Sequence, residues 1–241
     1  MRARAYAVHL LTASGVVAAF LAVAELFREA PDERVVFAWL VVAVLIDAVD
    51  GPLARAWDVK RLAPDINGRT IDDIVDYLTF TFIPLLLVWR MGWVPFAPGT
   101  PGAVWIAPAL IASLLGFANV GAKDEAAGYF RGFPSYWNIA AFYAGLAFYA
   151  WGETGQWLNG VALLALAALT VSPVRFLHPN LAPRPWKLPV MLGAFAWLAL
   201  LIGMLLVYRQ VPGWAVALSL IYPVFYAALS ILIDPRKLSR G

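Results

Sequence analysis

DAVDGPLARAWDVKRLAPDINGRTIDDIVD, residues 47–76, decides the reading of this chain. It holds two spaced pairs of carboxylates, Asp47 with Asp50 and Asp72 with Asp76. At i, i+3 and i, i+4 each pair shares one face of a helix. The flanking text is apolar enough to extend both helices to the length of a bilayer, about 20 residues, over Val35–Trp57 and Thr70–Trp89. Consecutive spans run antiparallel, and the loop between these two is short. All four carboxylates therefore converge at one membrane depth.

Convergence needs a physical reason. A single Asp at membrane depth costs about 2.5–3.5 kcal/mol on insertion scales, less near the interface, and clustered anions repel one another. Shared protons would relieve two carboxylates; for four, a divalent cation is the better answer. All-oxygen ligation selects Mg²⁺ or Mn²⁺ over Zn²⁺. Two pairs could hold two ions about 3.5–4 Å apart, as phosphoryl-transfer sites do. Capping a helix end or facing headgroups would explain one isolated Asp but not this spacing. Asp73 lies about 100° around the helix from Asp72 and is left out, and Asp58 and Asp65 read as solvated loop charges. Gly51 and Ala54 leave room beside Asp50 for a bulky ligand, and Gly68, one turn before Asp72, lets backbone approach a phosphate or a base. Arg55 offers a planar, permanently charged fork. The set suits a diphosphate.

Outward from this stretch the chain is 62% hydrophobic and only 14% charged over 241 residues, with mean hydropathy +0.75. Soluble domains carry about 25% charged residues. The excess apolar surface calls for lipid, and residues 1–241 read as a single membrane domain. Eight spans are expected: Ala5–Leu26, Val35–Trp57, Thr70–Trp89, Ala103–Val120, Tyr136–Trp151, Trp157–Leu177, Trp186–Tyr208 and Trp214–Asp234. The fold class is thus all-α, a polytopic membrane helix bundle. The first span imitates a secretion signal after Arg2 and Arg4, but its apolar run exceeds the usual 7–15 residues, so a retained helix is expected. With the N-terminus inside, fourteen of the 18 Lys and Arg fall on the inner side and four, Arg28, Arg34, Arg90 and Arg209, on the outer. That bias puts both termini and the aspartates on the cytoplasmic side. The net charge of +3 then reads as topology and contact with anionic lipid, not nucleic-acid binding. The absence of cysteine excludes thiolate chemistry. A divalent-cation transporter would need polar groups through the full membrane depth of several helices; spans four to eight carry almost none.

The quoted stretch resembles the signature of the CDP-alcohol phosphotransferase family, D-x-x-D-G-x-x-A-R followed by G-x-x-x-D-x-x-x-D. Asp47, Asp50, Gly51, Ala54, Arg55, Gly68, Asp72 and Asp76 match every defined position. The resemblance implies transfer of a substituted phosphate from a CDP-linked donor to an acceptor hydroxyl, with release of CMP. It implies metal binding by Asp47, Asp50, Asp72 and Asp76, a general-base role for Asp76, and a cytidine diphosphate site lined by Gly51, Ala54, Arg55 and Gly68. Many members have six spans and a shorter gap between the Arg and the second Gly. Eight spans, 12 residues between Arg55 and Gly68, and the text IDDIVDYLTFTFIPL (71–85) and GFPSYWN (132–138) resemble instead the bacterial phosphatidylcholine synthase branch. That branch uses CDP-diacylglycerol and choline, typically with Mn²⁺, in the inner membrane.

Choline cannot donate an N–H hydrogen bond, and proteins hold such cations with aromatic faces and nearby anions. Tyr129, Phe133, Tyr136 and Trp137 are the expected choline contacts, with Phe130, Glu125 and Asn138 nearby; an interfacial aromatic belt is the competing explanation. Serine, inositol or glycerol phosphate remain alternative acceptors. Thr12 and Ser14 are expected to face the nucleotide. His9 and His178 stand in no metal-ligand spacing and read as interfacial or structural. The expected partners are CDP-diacylglycerol, choline and membrane lipid, with oligomeric state, a homodimer included, left open.

Overall fold

A computed structural model describes residues 2–96, 102–119, 121, 123–124 and 128–234; Glu125 lies outside them. Helices α1 (Arg2–Leu26) and α2 (Glu33–Ala56) form an antiparallel pair. Asp32 caps α2 by accepting from the Arg34 amide at 2.9 Å. The turn before it is tied down by Arg90, whose guanidinium donates to the carbonyls of Leu26 and Arg28. After a short helix α3 (Val59–Leu62) comes a composite rod: α4 (Gly68–Asp76), a π-helical turn over Tyr77–Phe82, and α5 (Ile83–Arg90). Then follow α6 (Ala103–Ala118), α7 (Trp137–Trp151), α8 (Glu153–Thr170), α9 (Arg184–Leu206) and α10 (Gly213–Leu232). The composite rod packs against α1 and α7, α6 and α7 against α8, and α9 against α10.

Each expected span contains one helical rod. By length and composition α1, α2, α9 and α10 could each cross a membrane, and α6 is a shorter apolar helix. The outer surface agrees: Leu10, Phe20, Leu192, Phe195, Ile221 and Val224 are all exposed. An apolar face this extensive has no place in water. The molecule is an all-α membrane bundle.

One expected span ends early. Trp157–Leu177 was read as continuous, but α8 stops at Thr170 and Arg175–Leu177 is a strand. Pro173 is the cause, since it cannot donate to a continuing helix and pushes the preceding residue out of helical conformation. The strand is β3 of a small antiparallel sheet, order β1 (Lys123–Asp124), β2 (Tyr129–Arg131), β3, with Tyr129 opposite Leu177.

The core far from the aspartates is aromatic. Phe37, Trp93, Phe142 and Tyr208 pack with ring centroids 5.0–6.5 Å apart, and the Tyr208 hydroxyl donates to the Phe142 carbonyl at 2.6 Å. Beside them Glu33, fully buried, accepts both arms of the Arg209 fork at 2.7 Å and the Tyr149 hydroxyl at 2.9 Å. Fourteen residues of α2 separate Glu33 from Asp47, about 21 Å of helix. The clamp joins the start of α2, the end of α7 and the α9–α10 turn, closing the bundle at the end opposite the carboxylate cluster.

Arg209→Ala should therefore leave a buried carboxylate without its main partner. We expect a loss of about 2–4 kcal/mol, read as a lower inactivation temperature in detergent. In the Glu33→Gln background the same substitution should cost much less, and equal losses in both backgrounds would show that the pair is not coupled.

Candidate active site

Asp47, Asp50 and Asp72 come together. Each offers a carboxylate oxygen, and these oxygens all lie within 4.8 Å of one another. Asp50 is buried, and its Oδ2 has no hydrogen-bond partner among the described residues. A carboxylate oxygen is an obligate acceptor, so a buried one with no donor inside a cluster of like charges is a place for a cation. The donor set, all carboxylate, fits Mg²⁺ or Mn²⁺. Asp76 stands one turn beyond Asp72 on α4 and is not part of the three-way cluster.

Two prolines shape the helices that carry these residues. Pro52 sits inside α2 directly after the Asp50–Gly51 pair and denies the Ala48 carbonyl its helical donor. Pro84 does the same to Phe80. There the chain widens, and the Ile83 amide reaches back five residues to the Leu78 carbonyl. Such π turns frequently mark functional sites, and this one begins immediately after Asp76. The loop before α4 is anchored by the Tyr6 hydroxyl, which donates to both Asp65 carboxylate oxygens at 2.8 Å and so holds that carboxyl below its ordinary range. Asp65 thus ties the loop to α1 instead of being only solvated. Asp58 pairs with Arg61, and Asp73 with Arg69 at 3.6 Å, so Asp73 faces away from the cluster as its spacing predicts.

The small residues around the cluster divide into two kinds. A Cβ on Gly51 would meet only the Arg55 guanidinium, at 3.5 Å. Nothing in the packing needs glycine there, although glycine inside a helix costs about 0.5–1 kcal/mol against alanine. The space it leaves opens beside Asp50, under the exposed Arg55. Ala54 instead joins an apolar contact with Ala5, Val8 and Val59. Gly68 is tighter: a Cβ would lie 2.7 Å from His9 Cε1 and 3.0 Å from His9 Nδ1. The room that Gly68 provides is taken by an imidazole that sequence reasoning set aside as structural. Thr12 is buried and donates to the Val8 carbonyl of its own helix, and Ser14 to Leu11.

The four expected choline contacts separate. Tyr129 is buried, donates to the Ile233 carbonyl at 3.0 Å, and already carries the Arg175 guanidinium 4.6 Å from its ring centre. Trp137 is fully buried, its indole N–H donating to Ser113 Oγ at 2.6 Å, and Phe133 packs edge-on against it at 5.3 Å. Phe130 stacks on His178. The Asn138 side chain accepts from the Ile139 amide. The Tyr136 ring lies 6.5 Å from that of Phe80, and its hydroxyl is within electrostatic reach of Asp47, Tyr222 and Asp76. Phe80 was not expected. Its only sequence signal is its place one turn after Asp76, four residues before Pro84.

Mn²⁺ titration of the purified protein, followed by the loss of the free-ion paramagnetic signal, tests the cluster directly. Asp50→Ala should weaken binding at least tenfold, whereas Asp58→Ala should leave it unchanged; equal binding by both variants would remove the site.

No family model matches the chain. Similarity to curated proteins is extensive. The chain is 37% identical to a phosphatidylcholine synthase of Pseudomonas aeruginosa over 88% of its own length and 94% of the relative's. It is 37% identical to one from Bradyrhizobium diazoefficiens over 92% and 79% of the two lengths. With one from Rhizobium johnstonii the identity is 34%, over 96% and 90%. Matches of this extent run through the aspartate stretch and the helices on both sides of it, so the chain belongs to the bacterial phosphatidylcholine synthases, within the CDP-alcohol phosphotransferases that its motif resembles.

Proposed function

We propose that this protein transfers the phosphatidyl group of CDP-diacylglycerol to choline, releasing CMP. The observation that carries the proposal is the cluster of Asp47, Asp50 and Asp72, with its buried, donorless Asp50 oxygen, set in the eight-position motif of a chain similar to phosphatidylcholine synthases. In this reading the whole chain is one domain with eight crossings in the inner membrane, both termini cytoplasmic. Asp47, Asp50 and Asp72 hold a divalent ion, and Asp76 completes a second, adjoining site. When bound, such ions neutralise diphosphate charge and stabilise the leaving CMP.

The remaining roles belong to side chains. Arg55, poised over Gly51, donates to a phosphate of the diphosphate, and the gap at Gly51 admits that phosphate beside Asp50. Asp76 takes the proton of the choline hydroxyl. The choline oxygen then attacks the lipid-side phosphorus, and the bond from that phosphorus to the bridging oxygen breaks. CMP leaves with the bridging oxygen, and the proton passes from Asp76 to solvent. Tyr136 and Phe80 give the trimethylammonium group aromatic faces. Tyr129 and Trp137, with their groups engaged elsewhere, act in support of the fold. The acyl tails remain in lipid between the helices.

Four measurements test this. Exhaustive chelation should abolish CMP release, and Mn²⁺ or Mg²⁺ should restore it; full activity after chelation would sink the metal assignment. Asp76→Asn should slow turnover about 100-fold or more while changing CDP-diacylglycerol affinity little, and near-normal turnover would remove the base. Tyr136→Ala should raise the choline requirement about 2- to 30-fold without a matching loss of stability, whereas Trp137→Ala should chiefly destabilise, by about 3–5 kcal/mol. Faster CMP release with serine, inositol or glycerol phosphate than with choline would refute the acceptor and leave the family intact.

A further inference from the structure

His9 is buried, 7% exposed, yet its Nε2 has no hydrogen-bond partner. An imidazole nitrogen without a partner in a buried place costs about 1–3 kcal/mol, unless something absent from the free protein completes it. The local packing is no accident of a loose contact. His9 Cε1 and Nδ1 occupy the space a side chain at position 68 would need, so the ring is wedged between α1 and the first turn of α4. Asp65 lies within electrostatic reach of the ring, but its carboxylate is taken by Tyr6, and it is no acceptor for Nε2.

The position along α4 narrows what that nitrogen meets. Gly68 precedes Asp72 by four residues, one helical turn or about 6 Å of rise. A CDP-linked donor whose diphosphate sits at the Asp47–Asp50–Asp72 cluster extends beyond it by a ribose and a base, a reach comparable with that one turn. We propose that His9 is a nucleotide-positioning residue. Its ring fills the room left at Gly68 and is fixed there, and Nε2 makes a hydrogen bond to the nucleoside portion of the CDP-linked donor. The proposal rests on the reading of the aspartate cluster as the diphosphate site. It also assigns Gly68 a second purpose, since an alanine there would push the imidazole out of place.

The test uses the full-length enzyme in detergent with Mn²⁺, and CMP, 2′-deoxy-CMP and UMP as competing ligands measured by inhibition and by equilibrium binding. His9→Ala should weaken CMP about 3- to 10-fold, with a smaller change in turnover at saturating CDP-diacylglycerol. The preference for CMP over one of the two analogues should collapse: over UMP if Nε2 meets the base, over 2′-deoxy-CMP if it meets the ribose. Gly68→Ala should reproduce the same loss of preference. His9→Gln, which keeps a polar end group, should recover part of the CMP affinity and serves alone if the alanine variant does not fold. Unchanged preferences in both His9 variants, with or without lower thermal stability, would overturn the proposal and leave His9 as packing. The underlying reading fails separately: if Asp50→Ala binds CMP as tightly as the wild type, the aspartate cluster is not the diphosphate site.

Discussion

Three carboxylates whose oxygens lie within 4.8 Å are the constraint on which the bundle is built. At an effective dielectric near 20, two unit charges at that separation repel by about 3–4 kcal/mol. Three such pairs approach the entire stability of an ordinary domain, about 5–15 kcal/mol. No arrangement of apolar helices would keep these groups together and charged, one of them buried and two half-buried, without compensation. Asp50 is buried, and its Oδ2 meets no donor among the described residues, which fits compensation by a bound cation. In that reading, whatever neutralises the cluster would also help to hold α2 and α4 in register.

Much of the remaining architecture can be understood as rigidity supplied around that strained point. The hydrogen-bonded Glu33–Arg209–Tyr149 clamp and the densely packed rings of Phe37, Trp93, Phe142 and Tyr208 close the far end of the bundle. The near end is less regular. Pro52 interrupts α2 beside Asp50, Pro84 forces the π turn after Asp76, and the loop before α4 is held by Tyr6 and Asp65. Irregular backbone inside a membrane bundle is tolerated where it lines a polar cavity, and here it surrounds the carboxylates.

Helical spacing is local information, and of the four aspartates expected to converge the structure gathers three, Asp47, Asp50 and Asp72, with Asp76 and Asp73 outside that group. Apolar run length likewise placed a helical rod in every expected span. The early end of α8 was written at Pro173, but an apolar stretch on both sides of that residue hid the strand until its partner, β2, supplied the hydrogen bonds. The π turn had a legible cause in Pro84, whereas the side-chain meeting it creates, Phe80 with Tyr136, joins positions 56 residues apart. No local pattern encodes such a pair. The same holds for His9 against Gly68, where sequence shows a small residue and only the fold shows what fills the gap.

Aromatic richness alone was a poor guide to a cation site because an aromatic face can be used once. Arg175 occupies Tyr129, Arg209 lies 5.7 Å over Tyr149, and Ser113 engages the Trp137 indole. Those rings have already spent their affinity for positive charge or polar contact within the protein. Tyr136 differs in its neighbourhood: the Phe80 ring lies 6.5 Å away, and Asp47 and Asp76 are within electrostatic reach of its hydroxyl. Cation–π attraction strengthens from about 0.5–1 kcal/mol at exposed sites to about 2 kcal/mol or more where water is excluded. A half-buried ring beside two carboxylates lies toward the stronger end. Placement there also serves the chemistry. In the proposed reading, a quaternary ammonium held against Tyr136 would keep its hydroxyl, two carbons away, near Asp76, so that the group recognising the acceptor would also confine the atom that must lose its proton. That confinement, not the strength of the contact alone, is how a weak aromatic interaction would act on a rate.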